Sequence, residues 1–104
     1  MKKSYAMAIR DVTAQEMRRD DKVFVMGEDV EVLGGIFGCT RGLVDEFGPE
    51  RVRNTPISEA GFVGAGLGAA CVGMRPIVEL MYMDFALVAA DHQPGCKNPL
   101  CFRR

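Results

Sequence analysis

Apolar and polar positions along this chain change period several times, and each change marks an element. Between Ser4 and about Arg19, Tyr5, Ile9 and Val12, followed by Glu16, recur at helical spacing, with Ser4 placed to cap the first turn. Val23-Phe24-Val25-Met26 is a short unbroken apolar run ended by Gly27, as a buried parallel strand reads. Val30 to Thr40 is rich in glycine and reads as a loop. Arg41 to Phe47 predicts a short helix stopped at Gly48 and Pro49. A second strand is expected around Arg51 to Asn54, then a helix from Glu59 to Val72 stopped by Gly73. Ile77-Val78-Glu79-Leu80 reads as the third strand, and Asp84 can cap a helix beginning at Phe85. Strands separated by helices predict right-handed β-α-β crossovers. The fold class is therefore α/β, a parallel sheet with helices on both faces.

Composition narrows the class further. A chain of 104 residues is one domain at most and buries a modest fraction of its surface. Its formal net charge of −1 gives no sign of a nucleic-acid or anionic-membrane partner. Met1-Lys2-Lys3 is basic, but no apolar signal core follows it. The longest apolar stretch, Phe62 to Val72, is too short to span a bilayer. Four cysteines without a secretion signal predict reduced thiols and a cytoplasmic location.

In a parallel sheet, ligands bind beyond the carboxyl ends of the strands. Gly27-Glu28-Asp29 follows the first strand, Thr55 to Glu59 the second, and Met81 to Phe85 the third, so acidic and aromatic residues gather at one edge. Glu59 stands out among them. Pro56 holds its approach extended and Ser58 is a natural cap, which fixes Glu59 in the first turn of a helix with Ile57 and Phe62 nearby. Apolar neighbours favour the neutral form of a carboxyl group, which can donate or share a proton. The opposing reading is that the helix dipole simply stabilises an acid at this position.

Two decoys carry less. Gly64-Ala65-Gly66-Leu67-Gly68-Ala69, with Asp84 downstream, matches a dinucleotide fingerprint, but its glycines fall inside a helix rather than in the turn after a strand. Gly61, Gly64 and Gly68 instead share one helix face, as a close backbone approach requires. His92, Cys96 and Cys101 match no common zinc spacing, and no metal site is expected. Cys71 reads as a buried, inert thiol.

The runs Gly27-Glu28-Asp29-Val30, Gly34-Gly35-Ile36-Phe37-Gly38, Thr40-Arg41-Gly42-Leu43, Thr55-Pro56-Ile57-Ser58-Glu59, Gly73-Met74-Arg75-Pro76 and Asp84-Phe85 occur in a telling order. In that order and spacing, from about Tyr5 to Asp91, the chain resembles the β subunit of the thiamine-diphosphate-dependent E1 component of 2-oxo acid dehydrogenase complexes. The pyruvate, branched-chain and acetoin enzymes belong to that group. The resemblance implies that residues 1–91 are the N-terminal part of a transketolase-like pyrimidine-binding domain, with an incomplete sheet and exposed edges. It implies that Glu59 hydrogen-bonds N1′ of the cofactor's aminopyrimidine, and that Phe85 packs against the same ring. Glu28, Ile57 and Tyr82 would line the pocket. The Gly-Asp-Gly…Asn motif that holds diphosphate and magnesium belongs to the E1 α subunit, and nothing like it occurs here. The implied partners are therefore that α subunit, in an α2β2 heterotetramer, and a lipoyl-bearing E2 component. A chain with half a site is expected to be inactive alone. The alternative is a non-catalytic module that binds an α-type partner.

The resemblance ends abruptly after Asp91. Residues 92–104 carry two prolines and a glycine where the family continues in a helix. Codons permitted for this tail, read from one base into the Asp91 codon, include a translation I-I-N-Q-A-A-K-I-R-Y-V-S-G-G, as the family would continue. The tail is accordingly expected to be an out-of-frame translation.

Overall fold

The computed structural model describes residues 2–89. The tail expected to be out of frame, with His92, Cys96 and Cys101, lies outside the described residues. The elements run α1 (Tyr5–Arg19), β1 (Val23–Gly27), α2 (Leu43–Phe47), β2 (Val52–Asn54), α3 (Glu59–Cys71) and β3 (Arg75–Glu79), then a 3-10 turn at Met83–Leu87. The three strands form a parallel sheet in the order β2-β1-β3, with Gly27 opposite both Asn54 and Glu79. All three carboxyl ends thus finish at one edge.

Strand alternation splits the core between the two faces. Val23 and Val25 of β1 join Val52 of β2 beneath α1 and α2, packed with Ala14, Met17, Val30 and Leu43. Val25, Val30, Leu43 and Val52 are fully buried, each stabilising by about 1.5–3 kcal/mol. On the other face, Met26 meets α3 at Gly66. A Cβ on Gly66 would stand 2.6 Å from Val78 Cγ2, so this position requires glycine. The close approach is at Gly66; of the expected stripe, Gly68 has open space beside it and Gly61 meets only Ser58 of its own turn. Arg51 binds the first layer together. Its guanidinium donates to the carbonyls of Met17 (2.6 Å), Asp20 (2.9 Å) and Val23 (2.8 Å) at the end of α1 and start of β1, and lies over the Phe47 ring.

Several local expectations need correction. Ser4 caps α1 as expected, accepting from Met7 N–H at 3.3 Å. The helix, however, buries Thr13, Ala14 and Met17, whereas Tyr5, Ile9 and Val12 face outward. The small Ala14 lets α1 approach β1 on that side, and no described element covers the other apolar stripe. Ser58 occupies the position before α3, but its ψ of 74° is not the extended value of a side-chain cap, and its hydroxyl donates to the Pro56 carbonyl instead. Cys71 is exposed rather than buried, because it ends α3 on the solvent side. The third strand begins earlier than its apolar run, at Arg75, whose N–H donates to Lys22 O. The helix expected from Phe85 is the 3-10 turn, preceded by Tyr82.

Candidate functional site at the carboxyl ends of the strands

Each strand delivers an acid to the common edge. Glu28 directly follows β1, Glu59 opens α3 after the β2 turn, and Glu79 ends β3. Glu28 and Glu59 are both buried, at 5% and 8% exposure, which is unusual for glutamate and expensive unless they are partnered. The two carboxyl groups lie close enough for Glu59 to act on Glu28. Burial, the neighbouring Glu59 and the charge of Asp29 together push the Glu28 carboxyl above its ordinary range. No donor among the described residues serves Glu28 Oε1 or the buried hydroxyl of Thr55, in the turn leading to Glu59. The edge therefore presents two neighbouring buried acids and two buried polar atoms without partners, a polar set suited to a nitrogen-rich, hydrogen-bonding ring.

Glu79 completes the row. Burial alone raises its carboxyl. The glycine-rich loop closes against it, and a Cβ on Gly35 would lie 2.6 Å from Glu79 Oε2. Gly35 also adopts a φ of +74°, which suits glycine on a second count.

The aromatic residues form a separate group. Tyr82 packs edge-to-face with Phe85 at 5.8 Å between ring centres, and with Phe37 at 5.7 Å. Of the residues singled out in the sequence, Glu28 and Glu59 are thus brought together, and Tyr82 with Phe85. Ile57 is 83% exposed, so it does not supply the apolar setting expected around Glu59, whereas Phe62, one turn further along α3, is buried. Sequence reading passed over Phe37, Thr55 and Glu79. A signal existed for Glu79, an acid ending a predicted strand at the ligand-binding edge; Phe37 sits in a loop whose path the sequence does not reveal. Clefts elsewhere, such as one of 570 Å³ between the start of α1 and the loop at Phe37 and Arg41, contain neither acid of the pair. Among the described residues no cluster of His, Cys, Asp and Glu could hold a metal, and no helix is long and apolar enough to cross a membrane.

This fold and edge define a class of cofactor-binding domain, and comparison with known proteins gives its family. The family described as "Transketolase, pyrimidine binding domain" matches residues 1–93, and the chain belongs to it. Over 85 residues it is 55% identical to the pyruvate dehydrogenase E1 component subunit beta of Rickettsia bellii, covering 82% of this chain and 26% of that protein. It is 49% identical over 88 residues to the 2-oxoisovalerate dehydrogenase subunit beta of Bacillus subtilis, covering 85% and 27%. A mitochondrial pyruvate dehydrogenase E1 component subunit beta-1 of Arabidopsis thaliana is 46% identical over 99 residues. The chain spans about a quarter of the length of the curated relatives it matches.

Proposed function

We propose that this chain supplies the aminopyrimidine-facing half of a thiamine-diphosphate site, within the β subunit of an E1 enzyme. The observation that carries this reading is the buried Glu28–Glu59 pair at the carboxyl edge of a pyrimidine-binding domain. When bound, thiamine diphosphate supplies the electron sink that lets a 2-oxo acid lose carbon dioxide. Glu59, on the first turn of α3, would hold the cofactor's pyrimidine nitrogen through a hydrogen bond and could exchange a proton with it. Glu28 keeps a proton available to that carboxyl, because its own ionised form is disfavoured where it lies. Tyr82 and Phe85 offer ring faces and edges against which a heteroaromatic ring packs. Exclusion of water falls to buried Phe62 and Met26 on the α3 side of the sheet.

The substrate class is a 2-oxo acid, pyruvate or a branched-chain one, or acetoin, with the acyl group passed to a lipoyl carrier on an E2 component. Diphosphate and magnesium belong to an E1 α subunit, the expected partner in an α2β2 assembly, and the compartment is the cytoplasm. Calorimetry on the isolated chain is expected to give no micromolar, magnesium-dependent binding of thiamine diphosphate. Coexpression of the β subunit with a cognate α subunit is expected to restore binding and decarboxylation. Assembly without turnover would replace this reading by the non-catalytic binding module.

A further inference from the structure

Glu28 and Glu59 arrive at the edge from different strands, and something must set how closely they meet. Glu28 begins the loop after β1; Glu59 follows the turn after β2. Among the described residues, one side chain makes hydrogen bonds between these two segments. Asn54, the last residue of β2, accepts from Glu31 N–H through Oδ1 at 2.9 Å and donates through Nδ2 to Glu31 Oε2 at 3.2 Å. We propose that Asn54 is a positioning residue, a latch that sets the approach of Glu28 to Glu59 by fastening the loop after β1 to the end of β2.

Three observations support the latch. Asn54 stands opposite Gly27, next to Glu28, so any shift at Asn54 is felt beside the first acid. The loop is otherwise tied by the Thr40 hydroxyl donating to Val30 O at 2.9 Å and by Gly35 N–H donating to Asp29 O at 2.8 Å, while Thr55 N–H donates to Gly27 O at 2.9 Å between the strand ends; Asn54 adds the side-chain tie from β2 to the loop. Asp29, directly after Glu28, has a φ of +54°. A non-glycine residue is held in that region only when its surroundings over-determine it. The bonds at Val30 and Glu31 do so from one side, and the sheet register from the other. Both functional atoms of the amide are used: the oxygen orients the backbone and the nitrogen orients the Glu31 carboxylate. Asn54 itself is exposed, so its loss leaves the packed core untouched.

The inference rests on reading the acid pair as the site's proton machinery, yet its test needs no cofactor. Side-chain carbon NMR of labelled glutamates is followed against pH on the full 104-residue chain, in complex with a cognate α subunit when coexpression yields one. Glu28→Gln assigns the Glu28 signal. In Asn54→Ala the Glu28 midpoint should fall toward the ordinary glutamate range, because the acids separate and water enters between them. Asn54→Asp combined with Glu31→Gln exchanges the amide and the carboxylate, keeps both hydrogen bonds and the net charge, and should recover most of the original midpoint. An unchanged midpoint in a folded Asn54→Ala chain would overturn the latch, whatever the variant did to stability. If that variant does not fold, Glu31→Ala decides: it removes the side-chain arm alone, should lower the midpoint partly, and overturns the proposal if it does not. Loss of the latch would leave the role of Glu59 standing, and fast proton exchange in a Glu59→Gln enzyme would remove that role while leaving the latch.

Discussion

Asp11 and Glu46 on the helical side of the molecule, and Glu28 and Glu79 at the strand ends, are all acids, yet the fold treats them in opposite ways. Asp11 takes a bond from Lys3 Nζ at 2.6 Å and one from Arg10, and these cations hold its carboxyl below the usual range. Arg18 grips Glu46 through two nitrogens with the same result. At the strand ends no cation among the described residues answers Glu28 or Glu79 in this way. Burial pushes both upward, and at Glu28 a second acid adds to the effect. The helical side uses acids as ordinary surface charge, which is screened and adaptable. The strand edge places acids where burial disfavours their ionised forms. A chain with a thin core tolerates such cost only locally, and its location agrees with where parallel sheets bind ligands.

The largest effect that could break this contrast belongs to Glu59. In the β subunit assembled with its α partner, Glu59→Gln keeps size and hydrogen-bonding capacity but removes the proton that can be shared. Hydrogen–deuterium exchange at C2 of bound thiamine diphosphate should slow by about 10²–10⁴-fold, the range for losing a general acid–base group. Cofactor affinity should change little, since the diphosphate and metal are expected to be held by the other subunit. Equal exchange rates in both proteins would reduce Glu59 to a first-turn acid favoured by its helix dipole.

Much of this contrast was readable before any coordinates, and what was not has physical causes. The alternation of apolar runs and glycine stops located every strand and helix, because buried parallel strands and capped helices are local patterns. The place of Glu59 in the first turn of a helix is legible from Pro56 and Ser58 before it. Its pairing with Glu28 was not, since it depends on parallel register between strands far apart in sequence. The face of α1 was misread because Tyr5, Ile9 and Val12 are the obvious apolar stripe, while the sheet takes the small-residue side at Ala14. Glycine's role in α3 was anticipated as a close approach but assigned to the wrong positions. Only the packing of Val78 against Gly66 identifies the one that matters.

A smaller effect sharpens the contrast at Glu28. Its carboxyl is raised above the ordinary value of 4.5, so between that value and the folded one the folded chain holds a proton that the unfolded chain has released. That contribution to stability is complete below the unfolded value and is lost as pH rises through the folded one. Glu28→Gln replaces the acid by an amide that donates to Glu59 without a titrating proton. Urea unfolding across pH should show the variant more stable near neutrality by on the order of 1 kcal/mol, with a shallower decline above the ordinary glutamate range. The remaining decline belongs to Glu79. A variant less stable than wild type at neutral pH would mean that Glu28 is ionised and paired in the folded chain, contrary to its setting.

The smallest effect is expected on the helical side, at Arg18 and Glu46. Here the signs reverse. Glu46 is held below the ordinary range by Arg18, so whatever the pair contributes is present above the unfolded value and disappears as pH falls through the folded one. Both side chains are exposed, at 57% and 34%, and water and salt compete for each. Exposed pairs of this kind contribute little even when the geometry is good, because holding two long side chains in register offsets much of the attraction. Arg18→Ala and Glu46→Ala, combined in a double-mutant cycle, should therefore give a small coupling at low ionic strength. At molar salt, where screening acts within about 3 Å, it should vanish. Neither change should move the Glu28 midpoint. A coupling that survived molar salt, or a Glu28 titration that followed Glu46, would mean that the two groups of acids are energetically joined through the sheet, and the division between surface charge and site charge would have to be redrawn.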